Sequence, residues 1–234
     1  MTNFHFKHFS IQQDNSAMKV GTDAMVFGAL VNPENSASIL DIGAGTGVLS
    51  LMLAQRNQQA QITAIEVDES SFEDCQVNFK NSPWNNRLEV INGDFLSQQF
   101  DKRFDFIISN PPFYQNSLHN ADLKLAKARH SDFLPMKQLM AKVASLLSSN
   151  GVFSLIFPFQ NCDEIKELAK QVGFSILREI TVNGKPETPV RTILELSLEN
   201  RHEAVIQDLT IRDIDGAYSE EYRELTIDFH GKRL

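Results

Sequence analysis

Along the middle of the chain, short apolar runs alternate with longer amphipathic stretches. Residues 38–42, Ser-Ile-Leu-Asp-Ile, are a compact apolar run that ends in glycines. They predict a buried strand, and 48–55 behind them predicts a helix. The same logic predicts strands over 62–67, 88–91, 104–109 and 152–157, with helices over 69–80, 134–147 and 163–172 between or after them. Two more strands are expected over 174–182 and 192–198, joined by a turn-rich loop containing Gly184, Pro186 and Pro189. Strands alternating with helices point to an α/β domain with a mostly parallel sheet covered by helices.

The ends read differently. Phe4, Phe6, Phe9 and Ile11 suggest short extended structure with packed aromatics. Asp23 is placed to cap a short helix over 24–31, which Asn32-Pro33 would end. The polar stretch 114–133 is long for a simple connection, which points to a functional loop. No element is assigned to the tail, 200–234.

A length of 234 residues fits one α/β domain, here taken as 1–234, with a closing segment over 1–37, a core over 38–200 and the tail. No apolar run reaches membrane-spanning length, and residues 1–10 lack the apolar stretch of a signal peptide. A cytoplasmic protein is therefore expected. Cys75 and Cys162 are the only cysteines and lie in predicted helices, so neither a disulfide framework nor a metal site is expected. The net charge of -8 weighs against a nucleic-acid partner unless basic residues gather on one face.

The chemistry concentrates at three strand ends. Leu40-Asp41-Ile42-Gly43-Ala44-Gly45-Thr46-Gly47 is a strand, a tight turn and a helix start. Its G-x-G-x-G spacing differs from the G-x-G-x-x-G that seats a pyrophosphate, so it suits a nucleoside ligand without phosphates. An ordinary strand-to-helix turn is the alternative. Glu66 ends the second strand about 20 residues past the last glycine, where an acid commonly grips ribose hydroxyls. After the third strand, Asp94 is placed to accept from an adenine amino group and Phe95 to line the ring, although an Asp in a turn is common for other reasons.

The fourth strand runs into Asn110-Pro111-Pro112-Phe113. An amino group conjugated to a ring is a weak nucleophile because its lone pair is delocalised. Two acceptors that take both N–H groups turn the nitrogen toward tetrahedral geometry. The Asn110 side-chain oxygen and the Pro111 carbonyl supply them, the two prolines stiffen the backbone, and Phe113 offers a stacking face. The pattern is read as an amino-directed methyl transfer from S-adenosylmethionine, with a merely rigid turn as the alternative.

These segments resemble the class I methyltransferases that modify planar nitrogens. More narrowly, the chain is similar to the bacterial tRNA1(Val) adenine-N6 methyltransferase family. The likeness rests on FHFKHFSIQQ, MKVGTDAMVFGA, LDIGAGTGVLSLMLAQR, NSPWNNRLEV, SNPPF and KLAKARHSDFL, and weakens beyond residue 200. The resemblance implies a Rossmann-like class I methyltransferase fold with a seven-stranded, mostly parallel sheet, and S-adenosylmethionine as cofactor. It further implies tRNA as partner, with adenine 37 the target, and no metal or obligate protein partner. It carries Lys19, Gly21 and Thr22 over as cofactor neighbours, with Gln13 nearby. Leu30 stands where a Trp is commoner in the family, a departure that bears on the pocket and not on the reaction. Lys124, Lys127, Arg129 and His130 form a basic cluster after the catalytic motif. Lys7 and His8, with His5, form a second, and Lys185 a possible third contact. All are expected near the strand C-terminal edge, facing RNA. Methylation of a protein glutamine amide or of guanine N2 in ribosomal RNA would use the same four-residue motif and stays open, as does a non-catalytic binding module.

Overall fold

The computed structural model describes residues 3–16, 19–111, 136–199 and 203–230. A two-stranded antiparallel hairpin comes first, β1 (Asn3–His5) and β2 (Ser10–Gln12), followed by helix α1 (Thr22–Leu30). The alternating body contains β3 (Ser38–Ile42), α2 (Val48–Arg56), β4 (Gln61–Glu66), α3 (Glu69–Lys80), β5 (Leu88–Asn92) and β6 (Phe104–Ser109). Helical residues 136–146 (α4), β7 (Leu147–Pro158), α5 (Cys162–Val172), β8 (Ser175–Lys185) and β9 (Thr188–Ser197) complete it. The tail supplies β10 (Val205–Thr210) and α6 (Glu220–Thr226).

One eight-stranded sheet runs in the order β10-β8-β9-β7-β6-β3-β4-β5. All its pairings are parallel except those of β9, which is antiparallel to β7 and β8. The expected count of seven is thereby corrected. The eighth strand is β10, which pairs in parallel with β8 at the sheet edge. Four of its six side chains are exposed, so it lacks the apolar run that marks a buried strand. Asp23 does not cap α1. Gly21 occupies that position, and Asp23 pairs instead with Arg191 on β9 at 2.8 Å.

Two apolar layers flank the sheet. One face carries α1, α2, α3 and α6 with the aromatic hairpin, and the other carries α4 and α5. Helix α2 is buried from Val48 to Ala54, because α1 covers the side that would otherwise face water. The last carbonyls of α1 have no intrahelical partners, and two arginines supply them. Arg56 donates to Gly28 O (3.1 Å), Ala29 O (2.9 Å) and Val31 O, while Arg178 donates to Leu30 O (2.6 Å). In the hairpin, Phe6 stacks on Phe9 with centroids 4.3 Å apart, and Phe9 meets Trp84 edge-on. The tail closes over this hairpin: Lys7 N–H donates to Phe229 O, and Phe6 bridges His230.

Candidate functional site

The sheet order reverses between β3 and β6. β4 and β5 are added on one side of β3, and β6 lies on the other. Ligands of open α/β sheets bind outside the strand C-terminal ends at such a switch point. Here the glycine turn leaves β3 and Asn110-Pro111 leaves β6 side by side. Ile42 pairs with Ser109, and the Ser109 hydroxyl donates to Ile42 O at 3.0 Å.

The turn has the shape of a cradle. Gly43 and Gly45 have φ of +69° and +56°, and a Cβ on either would point into open space with no atom within 4 Å. Residues with side chains rarely adopt this backbone, so glycine is dictated by conformation and leaves room for a ligand against the main chain. Gly47 is glycine for another reason. A Cβ there would fall 2.6 Å from Phe79 Cε1 and 2.7 Å from Cys75 Sγ, so α3 can approach only because the position is bare.

Acids surround the turn. Glu66 accepts from Gly45 N–H at 2.7 Å through one oxygen and from Asp68 N–H at 2.9 Å through the other, which ties the end of β4 to the turn. Asp41 is fully buried. Its Oδ2 accepts from the Ser50 backbone (3.1 Å) and hydroxyl (2.7 Å), while Oδ1 has no partner. Burial pushes the Asp41 carboxyl up to about 7 against the pull of Ser50, with a further push from Glu66. Burial, then the negative charges of Asp41, Glu66 and Asp74, push the Cys75 thiol well up. The region therefore favours a cation. An orphaned buried carboxylate oxygen beside a bare glycine cradle fits the cationic, nucleoside-bearing S-adenosylmethionine.

The remaining expected residues are placed as follows. Asn110 and Pro111 are partly exposed at the sheet edge; Pro112, Phe113, Lys124, Lys127, Arg129 and His130 lie outside the described residues. Asp94 accepts from Leu96 N–H (3.0 Å) and the Ser97 hydroxyl (2.8 Å), and these bonds hold its carboxyl below the usual range. Phe95 is buried beneath this turn with Phe100, and Lys142 lies 5.2 Å over its ring. Gly21 and Thr22 start α1, whose N-terminal end reaches β9 near the strand C-terminal edge through Asp23 and Arg191. Lys19 donates to Gln13 O, and the Gln13 side chain accepts from Val20 N–H at 2.8 Å.

Lys185 ends β8, which runs parallel to the central strands, so it sits at the expected edge. Lys7 and His8 do not. Lys7 pairs with Asp228 at 3.7 Å, and the Asp228 carbonyl accepts from Gln55 near the C-terminal end of α2. Phe9 meets Trp84 just beyond the end of α3. Both helices run back against the strands, so this turn lies toward the opposite edge. The expected placement beside the catalytic motif is corrected: a hairpin's position is set by what its aromatics pack on, which local sequence does not encode.

Some site residues carry no motif. Ser50 is a hydroxyl within the apolar run of α2, and a polar group there must find a partner. Asp74 and Asn78 share one face of α3 at i, i+4 spacing, which is the signal they offer. Val67, 67% exposed, places an apolar side chain next to Glu66 at the rim.

Residues 15–173 match the methyltransferase small domain family. The fold and the site therefore define a methyltransferase of the Rossmann-like class. A chain from Bacteroides thetaiotaomicron, named tRNA1(Val) (adenine(37)-N6)-methyltransferase, is 39% identical over 97% of this chain and 96% of its own. One of the same name from Vibrio vulnificus is 39% identical over 98% of this chain and 95% of its own. The chain belongs to this methyltransferase family. Among solved structures, a chain from Agrobacterium tumefaciens described as a predicted O-methyltransferase superposes with a TM-score of 0.71 at 20% identity, covering 88% of this chain and 96% of that one. The glycopeptide N-methyltransferase MtfA complexed with S-adenosylmethionine gives 0.57 at 14% identity over 76% and 87%. At these identities the likeness concerns the fold. Among the described residues, no helix is long and apolar enough to cross a membrane, and no three potential metal ligands cluster.

Proposed function

We propose that this chain methylates the exocyclic N6 of adenine 37 in the anticodon loop of tRNA1(Val), using S-adenosylmethionine. The observation that carries the proposal is the adjacency of Asn110-Pro111 to the glycine cradle across the β3/β6 switch point, locked by Ser109 on Ile42 O. The near full-length relatives support the choice of base and RNA.

S-adenosylmethionine supplies an electrophilic methyl group on a sulfonium. Gly43, Gly45 and Gly47 shape its cradle, Asp41 and Glu66 meet its positive charge and its ribose, Asp94 its adenine, and Lys19, Gly21 and Thr22 close the near side. Phe95 supports the adenine turn from beneath. The protein's task on the substrate is to prepare one nitrogen. Asn110 Oδ1 and the Pro111 carbonyl would accept its two N–H groups, leaving the lone pair free to bond to the methyl carbon as the carbon–sulfur bond breaks and the surplus N–H proton leaves to solvent. Both acceptors are neutral, so they stabilise the growing positive charge on nitrogen while the base stays neutral beforehand. Pro112 holds the acceptors in place, and Phe113 stacks on the base. An unpaired loop base enters such a pocket at lower cost than one in a duplex.

The RNA backbone is assigned to Lys185, Lys124, Lys127, Arg129 and His130. Residues 1–234 act as one catalytic domain, supported by the tail adding β10 to the same sheet. A tRNA substrate supports a cytoplasmic location. The test is methyl transfer from labelled S-adenosylmethionine to bulk tRNA of a strain lacking this protein, followed by nucleoside analysis. A new N6-methyladenosine peak is expected. Label confined to ribosomal RNA or protein would refute the substrate and keep the cradle chemistry.

A further inference from the structure

Helix α3 presents a polar face that no water-facing role explains. Asp74 has no solvent exposure, yet its carboxylate accepts four hydrogen bonds from two consecutive residues of the N-terminal segment. Oδ2 takes Asn15 N–H (3.1 Å), Ser16 N–H (2.9 Å) and the Ser16 hydroxyl (2.8 Å); Oδ1 takes the Asn15 side-chain amide (3.2 Å). One turn further along, buried Asn78 accepts from Gln12 N–H at 2.7 Å and donates to Gln12 O at 2.8 Å. The same amide group donates to Thr46 O, inside the glycine turn, at 2.9 Å. Cys75 and Phe79, on the same side of α3, reach the position where Gly47 would carry a Cβ.

The arrangement is a joint. Residues 12–16 run along α3 from the hairpin end toward the strand C-terminal edge, and the chain continues to Lys19, Gly21 and Thr22. Packing alone would leave this strap free to slide, because it pairs with no strand of the main sheet. A buried carboxylate needs its donors, so Asp74 fixes the strap at one register. Asn78 ties that register to the cradle through a single amide.

We infer that Asp74 and Asn78 are positioning residues for the methyl-transfer site: they fasten residues 12–16 to the glycine turn and so hold the cofactor-side segment Lys19–Thr22 in its binding position. Neither residue touches substrate. The inference rests on the proposed function, since it assigns the closed segment to the S-adenosylmethionine site.

The test uses the full-length protein and S-adenosylmethionine itself. Calorimetry on Asp74→Ala and on Asn78→Ala, which removes the acceptor toward Gln12 N–H and both donors without adding a charge, should show the dissociation constant raised about tenfold, the size of one lost charge-assisted hydrogen bond. The turnover number at saturating cofactor should stay within about twofold, because the loss lies in uniform binding. Trypsin supplies a readout independent of activity. Cleavage after the exposed Lys19, mapped by mass, should accelerate in both variants while far-ultraviolet circular dichroism still shows a folded protein. Ser16→Ala should weaken cofactor binding by a smaller factor and add nothing in the Asp74→Ala background, as expected for partners in one interaction. Should Asp74→Ala fail to fold, Ser16→Ala and Asn78→Ala carry the same test. Unchanged affinity and unchanged Lys19 cleavage in folded variants would overturn the inference and leave the proposed function standing. Failure of the wild-type protein to bind S-adenosylmethionine would overturn both.

Discussion

The role proposed for Asp41 sets function against stability, and Asp41→Asn measures the conflict. In the folded chain this carboxyl is raised from 3.8 to about 7, first by burial and then by Glu66, with Ser50 pulling the other way. In the unfolded chain it loses its proton near pH 4. Between those values the folded state holds one proton more than the unfolded state, so stability falls as pH rises, by about 1.4 kcal/mol per unit. Over roughly three units the upper figure is about 4 kcal/mol, and relaxation of the buried site brings the expected loss to about half that. Above pH 7 the loss is complete and the dependence flattens. Asparagine is isosteric, keeps an acceptor for Ser50 and carries no charge, so this component vanishes. Urea denaturation of both proteins from pH 4 to pH 8.5 should give equal stabilities at the acid end and a variant more stable by about 2 kcal/mol at pH 8. Groups that do not interact with Asp41 behave alike in both proteins and cancel in the difference. The variant should bind S-adenosylmethionine more weakly, since the charge that destabilises the fold is the one proposed to meet the cofactor's cation. Parallel stability curves for the two proteins would refute the reasoning.

Three further outcomes are expected. Asn110→Ala should abolish methyl transfer and leave the dissociation constant for S-adenosylmethionine within about threefold, because the acceptor it removes is proposed to face the amino group in the transition state; normal turnover would defeat the mechanism. Gly47→Ala should cost about 2–4 kcal/mol in denaturant unfolding, since its methyl meets Phe79 and Cys75 in a backbone with φ of +80°, and a variant as stable as wild type would contradict that contact. An adenine-containing anticodon-loop oligonucleotide should be methylated at least about tenfold less efficiently than intact tRNA, as contacts to the surrounding RNA backbone supply affinity; equal efficiency would remove the need for them.

Much of the frame was legible from sequence because its signals are local. The runs at 38–42 and 104–109 became β3 and β6 with the same bounds, and 69–80 became α3. A buried parallel strand must be apolar on both faces, so it announces itself in five or six letters. The glycine motif is equally local, since its turn needs one tight backbone conformation. Strand β10 gave no such signal, being half-covered at the sheet edge and held in place by β8.

What tertiary structure alone decided is which polar groups meet. Asp74 is one of many acids in the sequence, and only the path of residues 12–16 over α3 turns it into a buried anchor with four donors. Asp41 reads as part of a glycine motif, and only burial leaves its second oxygen without a partner. Lys7 and His8 look like companions of the later basic loop until the hairpin's aromatics dock beside Trp84 and the tail fastens Lys7 at the far edge. Apolar pattern and turn chemistry are properties of neighbours along the chain, and sequence by itself determines them. Hydrogen-bond satisfaction and burial belong to groups distant in sequence, and only the assembled fold sets their distances.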